Sequence, residues 1–249
     1  MKNDQIEITV VGCGDAFSSG AQFHSCFHVE YKSLSFLIDC GASALIGLKK
    51  YAINLHSLDA VLISHFHGDH FGGLPFLLLE LFKSKDRTKP FYIITPQSGK
   101  ERTKQLFSIL YAGIESIIDD KDLHFIEYKA HEEFEFLSLK IKAFPVIHAV
   151  LSMPHGLRIS MDDKILAFSG DTEWTEELIP LSDNSDLFIC ECTNYNKNTP
   201  GHLSYSIISQ NIPLLNCSNI ILTHLGPEML EAKESLNLTW ASDGMKLTF

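Results

Sequence analysis

The sequence lacks a hydrophobic run long enough to cross a membrane. Its longest apolar stretches are interrupted by Pro75, Glu80 or glycine, whereas a membrane-spanning helix needs about 20 consecutive apolar residues. It also lacks the apolar segment of a secretory leader ahead of its first predicted strand, Ile6–Val11. These absences predict a soluble protein with no membrane contact and a cytoplasmic location.

An excess of basic charge is also absent. The chain has 20 lysine and arginine residues against 31 aspartate and glutamate residues, which gives a formal net charge of -11. A surface of this sign repels polyanions, which counts against extensive contact with nucleic acid.

Two familiar binding motifs are incomplete. Gly12-Cys13-Gly14 lacks the third glycine of a dinucleotide-binding loop, because Phe17 stands at that position and a polar loop follows. Cys190-x-Cys192 lies inside a predicted strand, where cysteine acts as a small apolar side chain. The six cysteines are scattered along the chain, which in a cytosolic setting predicts reduced, structural thiols.

The chain has no tandem repeat, low-complexity tract or linker, which predicts a single domain over residues 1–249. Apolar residues make up 45% of the composition, enough for a substantial core. Each half of the chain begins with strands and continues with alternating strands and helices, the pattern of an α/β protein. One of these helices, Gly99–Tyr111, is predicted to turn Leu106, Ile109 and Leu110 inward.

Four strong metal-binding side chains follow one short apolar run. Ala60–Ile63 predicts a buried strand, and Leu74–Phe82 predicts a helix entered through Gly72-Gly73. The loop between them carries His65, His67, Asp69 and His70. Imidazole and carboxylate groups bind zinc and neighbouring transition metals. Four of them exceed what one tetrahedral ion with an open position can use, so the loop predicts two ions.

Further candidate ligands follow other predicted strands. His148, Asp171 and His224 each stand at or just beyond the carboxyl end of an apolar strand, where sites assemble in open sheets. Asp39 also ends a predicted strand, and it could orient a metal-binding histidine from behind.

The run His-x-His-x-Asp-His resembles the signature of the metallo-β-lactamase superfamily. The resemblance implies an αβ/βα sandwich of two mixed β-sheets with helices on the outer faces. It implies one metal held by His65, His67 and His148, and a second held by Asp69, His70 and His224. Asp171, in a Gly-Asp-Thr context, would bridge both ions. His155 is a rival to His148, which we prefer because it ends a strand whereas His155 opens the next.

Two such ions, about 3.5–4 Å apart, make hydroxide available at neutral pH, and the bridging hydroxide would be the nucleophile. Zinc is the expected metal, with manganese or iron as alternatives, because these ions share nitrogen and oxygen ligands. The resembling family also suggests a homodimer.

A second resemblance concerns Cys190-Glu191-Cys192-Thr193 and Gly201-His202-Leu203-Ser204. These segments resemble the ribonuclease Z-like, phosphodiesterase branch of the superfamily, as do the Gly12–Ala16 opening and the Gly-Asp-His-Phe-Gly-Gly-Leu-Pro run. The resemblance implies that His202 contacts the scissile phosphate and donates a proton, while Glu191 orients it and raises its pKa. Glu191 and His202, together with Asp69 of the central motif, are the catalytic candidates. An insertion matching the tRNA-gripping arm of ribonuclease Z is absent, which disfavours tRNA.

The leading hypothesis is a dinuclear metal hydrolase acting on a small-molecule phosphodiester or an RNA 3′ end. Hydrolysis of a carboxylic ester, lactone or thioester by the same site is a second hypothesis. A non-catalytic metal-binding module and redox use of iron by the same ligands are further alternatives.

Overall fold

The computed structural model describes residues 5–83 and 87–249. It divides into two compact units. The first contains the described residues up to Gly12, those within Phe23–Glu127, and Asp243–Thr248. The second contains Cys13–Gln22, Tyr128–Ser242 and Phe249. The single domain over residues 1–249 stays a prediction.

Along the described residues, runs of strands are followed by strands that alternate with helices. The strands are β1 Ile6–Gly12, β2 Cys26–Tyr31, β3 Leu34–Ile38, β4 Ala60–Leu62, β5 Phe91–Thr95, β6 Leu123–Glu127, β7 Glu133–Phe136, β8 Leu139–Pro145, β9 His155–Met161, β10 Lys164–Phe168, β11 Leu187–Glu191, β12 Ile220–Thr223, β13 Thr239–Trp240 and β14 Lys246–Thr248. The α-helices are α1 Ala44–Lys50, α2 Gly68–Phe71, α3 Leu74–Lys83, α4 Gly99–Leu110, α5 Leu178–Ser182, α6 Tyr205–Asn211 and α7 Pro227–Ala232.

The first unit is built on a seven-stranded mixed sheet in the order β14-β1-β2-β3-β4-β5-β6. Strands β14 to β3 pair antiparallel, and β3 to β6 pair parallel. Ile38 at the end of β3 pairs with Leu62 at the end of β4. Because the two strands run in parallel, Asp39 and the loop that follows β4 emerge at the same edge of this sheet.

The second unit is built on another seven-stranded mixed sheet, in the order β13-β12-β11-β10-β9-β8-β7. Strands β10 to β13 are parallel, and β7 to β10 are antiparallel. Phe168 pairs with Ile189, and Glu191 pairs with Thr223. The carboxyl ends of β10, β11 and β12 therefore lie along one edge, where Asp171, Glu191 and His224 follow.

The predicted inward face of α4 is wrong at Ile109 and Leu110, whereas Leu106 is half-buried. The helix buries Thr103 and Phe107, whereas Ile109 is 78% exposed and Leu110 is 44% exposed. Thr103 and Phe107 are four residues apart and therefore share one face. Leucine and isoleucine near the last turn fall outside that face, so their apolar character misdirected the prediction.

The cysteines behave as predicted. All six are free thiols, and five of them are buried. Cys190 and Cys192 lie in the apolar core of the second unit together with Phe188 and Leu222, which confirms their role as small apolar side chains. Among the described residues, no helix has the length and apolar character needed to cross a membrane.

Candidate metal centre

The first unit brings the four donors of the central motif together. His65 follows β4, and His67 stands just before the one-turn helix α2, which carries the other two. The His65 ring centroid lies 4.9 Å from that of His67 and 4.1 Å from that of His70. The Asp69 Oδ2 atom is 3.3 Å from His70 Nε2. The sequence pattern did not predict α2, whose single turn holds Asp69 and His70 next to each other.

Asp39 lies behind these donors, as the sequence predicts. Its Oδ2 is 2.6 Å from His70 Nδ1 and accepts the Ser64 hydroxyl at 2.9 Å, while its Oδ1 accepts the Ser64 N–H at 2.8 Å. A carboxylate can only accept, so the proton of the neutral His70 ring sits on Nδ1 and Nε2 carries the lone pair that a metal needs. Burial raises the pKa of Asp39, whereas His70 and Ser64 oppose that rise.

His65 is oriented through the same serine. The Ser64 Oγ donates its proton to Asp39 and lies 3.0 Å from His65 Nδ1. It therefore accepts a hydrogen bond from Nδ1–H, and Nε2 of His65 carries the lone pair. Asp39 also adopts a left-handed backbone conformation, with φ 58°, which is uncommon for a residue other than glycine.

The second unit brings its three predicted ligands together. Asp171 Oδ2 lies 3.3 Å from His224 Nε2 and 3.9 Å from His148 Nε2. His148 Nδ1 is 2.7 Å from the Gly201 carbonyl, and His224 Nδ1 is 3.0 Å from the Thr193 hydroxyl. A carbonyl oxygen only accepts, and the Thr193 hydroxyl donates to Glu191, so both rings hold their proton on Nδ1 and turn Nε2 towards Asp171.

His155, the rival to His148, is engaged elsewhere in the second unit. Its Nδ1 is 2.8 Å from the Met153 carbonyl, and its ring packs edge-on against Tyr128 with centroids 5.3 Å apart. Burial lowers its pKa, against the hydrogen bond to Met153. These contacts are those of a structural histidine, and the preference for His148 stays a prediction.

Glu191 and His202 form a direct pair. Buried Glu191 receives the Thr172 N–H on Oε1 at 2.9 Å and the Thr193 N–H on Oε2 at 3.1 Å. His202 Nδ1 is 3.0 Å from Oε1. Burial lowers the pKa of His202, but the hydrogen bond to Glu191 and the negative charges of Glu191 and Asp171 outweigh it, so the pKa lies above its usual range.

The His202 ring stacks on His224, with centroids 5.5 Å apart and an interplanar angle of 18°. The donor atoms of Glu191, His202 and His224 all lie within 4.8 Å of one another. Such a trio could itself bind a metal. The contacts of Glu191 with two backbone N–H groups and with His202 favour the orienting role, because its oxygens are already occupied.

A cavity of about 550 Å³ opens beside His202 and His224 in the second unit. Phe17 lies at this cavity and is 88% exposed. Its loop is fixed by Asp15, whose carboxylate accepts the Phe17 N–H at 3.2 Å and the Ser19 N–H at 2.8 Å. The volume suits a small-molecule ligand. Apart from the polar loop after Gly14, no sequence pattern indicates this cavity.

The donor chemistry of both units fits divalent metals. Imidazole Nε2 atoms and carboxylate oxygens are present in each, and four of the histidines, His65, His70, His148 and His224, have their Nδ1 held by an acceptor. This arrangement is the usual outer support of metal-binding histidines. The two donor sets therefore indicate binding of divalent metal ions.

The model of the family described as Anti-Pycsar protein Apyc1 matches residues 6–241. The chain belongs to this family. Among curated proteins, this Apyc1-family chain is 25% identical over 285 aligned residues to a ribonuclease Z from Clostridium beijerinckii, covering 93% of the chain and 92% of the relative. It is 30% identical over 154 residues to a ribonuclease Z from Agathobacter rectalis, covering 62% of the chain but only about half, 49%, of that relative.

Solved structures share the fold of this Apyc1-family chain. The metallo-β-lactamase fold protein YhfI from Bacillus subtilis has a TM-score of 0.79 at 22% identity, covering 97% of this chain and 99% of YhfI. Human tRNase Z, short form, has a TM-score of 0.77 at 20% identity, covering 97% and 98%. A diphosphatase of the PhnP family has a TM-score of 0.77 at 18% identity, covering 98% of both chains. The predicted metallo-β-lactamase fold and the ribonuclease Z-like resemblance are confirmed.

Proposed function

We propose that this Apyc1-family chain is a dinuclear metal-dependent phosphodiesterase. One ion would be held by His65, His67 and His148, and the other by Asp69, His70 and His224, with Asp171 shared between them. The observation that carries the phosphodiesterase assignment is the pair Glu191–His202, which lies directly against the metal donor His224. The ribonuclease Z and diphosphatase names of its relatives support the same reaction class.

The residues of the chain would have distinct roles in the reaction. When bound, divalent cations would supply hydroxide at neutral pH and neutralise charge on the phosphate. Asp39 and Ser64 hold the two histidines that they contact in the metal-binding tautomer. Glu191 engages His202 Nδ1, so the proton available to a leaving oxygen is the one on Nε2, and the raised pKa of His202 favours the cationic ring beside a phosphate.

A small phosphodiester is the favoured substrate over an RNA 3′ end. The cavity beside His202 has a volume of about 550 Å³, and the net charge of the chain is -11. The first feature suits a compact ligand, and the second repels a long polyanion. Phe17, exposed at this cavity, offers an apolar face to the organic part of such a substrate.

The alternative functions are not favoured. A carboxylic ester, lactone or thioester hydrolase needs no cationic histidine for a phosphate, and a non-catalytic metal-binding module needs no oriented proton donor. The proposal also includes zinc as the native metal, a homodimer and a cytoplasmic location. Zinc is supported by the nitrogen and oxygen donors, the location by six free thiols, and the homodimer by the family resemblance.

The test is a panel of substrates, three of which release the same p-nitrophenolate leaving group. The protein, purified without chelator, is assayed on bis-p-nitrophenyl phosphate, p-nitrophenyl phosphate and p-nitrophenyl acetate, with a lactone and a thioester added. We expect turnover of the phosphodiester to exceed that of the others, to disappear after chelation, and to return with Zn²⁺ or Mn²⁺. Faster turnover of an ester, or phosphodiester turnover that chelation leaves intact, would contradict the proposal.

A further inference from the structure

We propose that Glu173 is a positioning residue that acts through the backbone of Gly201 on both His148 and His202. This inference rests on the proposed function, because it treats His148 as a metal ligand and His202 as the proton donor. Neither the sequence pattern nor the resemblance pointed to Glu173.

The link consists of two hydrogen bonds to the backbone of one residue, Gly201. Glu173 Oε1 accepts the Gly201 N–H at 2.8 Å. His148 Nδ1 lies 2.7 Å from the Gly201 carbonyl oxygen. Because that oxygen only accepts, it selects the His148 tautomer that carries its proton on Nδ1. The lone pair then lies on Nε2, the atom 3.9 Å from Asp171 Oδ2.

Gly201 is the residue that this arrangement requires. Its φ is 84°, and a Cβ atom there would lie 2.6 Å from His148 Nδ1. Any side chain would therefore strain the backbone and collide with the ring. The next residue is His202, whose N–H donates to the Thr199 carbonyl at 3.1 Å. A displacement of the Gly201 peptide thus moves His148 and the backbone of His202 together.

Glu173 is itself anchored to the segment that carries His148. Its N–H donates to the Ile147 carbonyl at 2.8 Å, and the Ile147 N–H donates to the Thr172 hydroxyl at 3.1 Å. Glu173 therefore holds His148 from two directions, through the backbone of Ile147 and through the backbone of Gly201. A carboxylate acceptor makes the stronger kind of hydrogen bond, so it fixes the position of the Gly201 backbone firmly.

The decisive test compares Glu173→Ala and Glu173→Asp with Glu173→Gln. Alanine removes the acceptor and aspartate withdraws it by one methylene, whereas glutamine keeps an acceptor oxygen. We expect Ala and Asp to weaken Zn²⁺ affinity, measured by competition with a chromophoric chelator, by about 10–100-fold. Their kcat should fall by a similar factor with little change in KM, and Gln should recover most of both losses. Glu176→Ala, an exposed glutamate of the same segment, is the matched control and should change neither.

The tautomer of His148 provides a readout that needs neither metal nor turnover. Long-range ¹H–¹⁵N NMR of the metal-free protein should show the Nδ1–H form in wild type and Glu173→Gln, and a mixture of tautomers in Glu173→Asp. Wild-type Zn²⁺ affinity and an unchanged tautomer in Glu173→Asp would overturn the inference. Absence of phosphodiester turnover in the wild type would instead overturn the proposed function, and the tautomer result would still stand.

Discussion

Asp171→Ala is expected to abolish phosphodiester turnover and to release bound metal. Asp171 is buried, and its Oδ2 lies within 4 Å of both His148 Nε2 and His224 Nε2, at 3.9 and 3.3 Å. Removing this carboxylate would take away a proposed ligand and the negative charge proposed to screen two close cations. A loss of about a thousandfold or more is expected, because a metal contributes several kcal/mol to such reactions. Elemental analysis and turnover of the same preparations measure both effects.

His155→Ala is the control for this experiment. His155 lies in the same unit but contacts the Met153 carbonyl and Tyr128, so its loss should leave metal content and turnover near wild type. His148→Ala should behave like Asp171→Ala in metal loss. If His155→Ala lost metal while His148→Ala kept it, the assignment of the third histidine would be wrong.

His202→Ala is expected to lower phosphodiester turnover by about two to four orders of magnitude, the usual worth of a positioned proton donor. Metal content should not change, because His202 is proposed as a donor of protons and not as a ligand. Turnover of p-nitrophenyl acetate should fall less, because this substrate has no phosphate group for a cationic histidine to contact. Parallel assays of both substrates, with elemental analysis, measure the difference.

Glu191→Gln tests the same pair through pH. His202 acts only when protonated, so phosphodiester turnover should fall as pH rises through its pKa, which Glu191 raises. Removing the charge lowers that pKa, and the descending limb of the pH–rate profile should move to lower pH. Two results would indicate that the pair has only a structural role. One is an equal loss of phosphodiester and ester turnover in His202→Ala, and the other is an unchanged descending limb of the pH–rate profile in Glu191→Gln. Metal bound by His202 itself would appear as metal loss in His202→Ala.

The ligand candidates could be found from sequence because each follows a short apolar strand. His148, Asp171 and His224 all lie beyond strand ends, and the parallel register of β10 to β12 brings such positions to one edge. Asp39 was predictable for the same reason. Whether the ligands of the two units share one dinuclear centre stays a proposal.

The supporting residues could not be found from sequence. Three of them, Ser64, Thr193 and Gly201, act through hydroxyl or backbone groups. Such groups are common in every protein, so the residue type alone does not indicate a role at the site. Glu173 meets Gly201 across 28 residues of chain, and only the fold specifies that meeting. The prediction of the buried face of α4 was wrong for a related reason. The apolar pattern over so few residues does not decide which side of the helix a neighbouring element covers.

The most direct measurement is a metal titration of the chelator-treated protein, with phosphodiester turnover and bound metal recorded at each step. A dinuclear phosphodiesterase should regain full turnover only when two ions are bound per chain, and the matched p-nitrophenyl acetate assay should show no comparable gain. Full phosphodiester turnover with one bound ion would contradict the dinuclear centre. Full turnover with none would contradict metal dependence altogether.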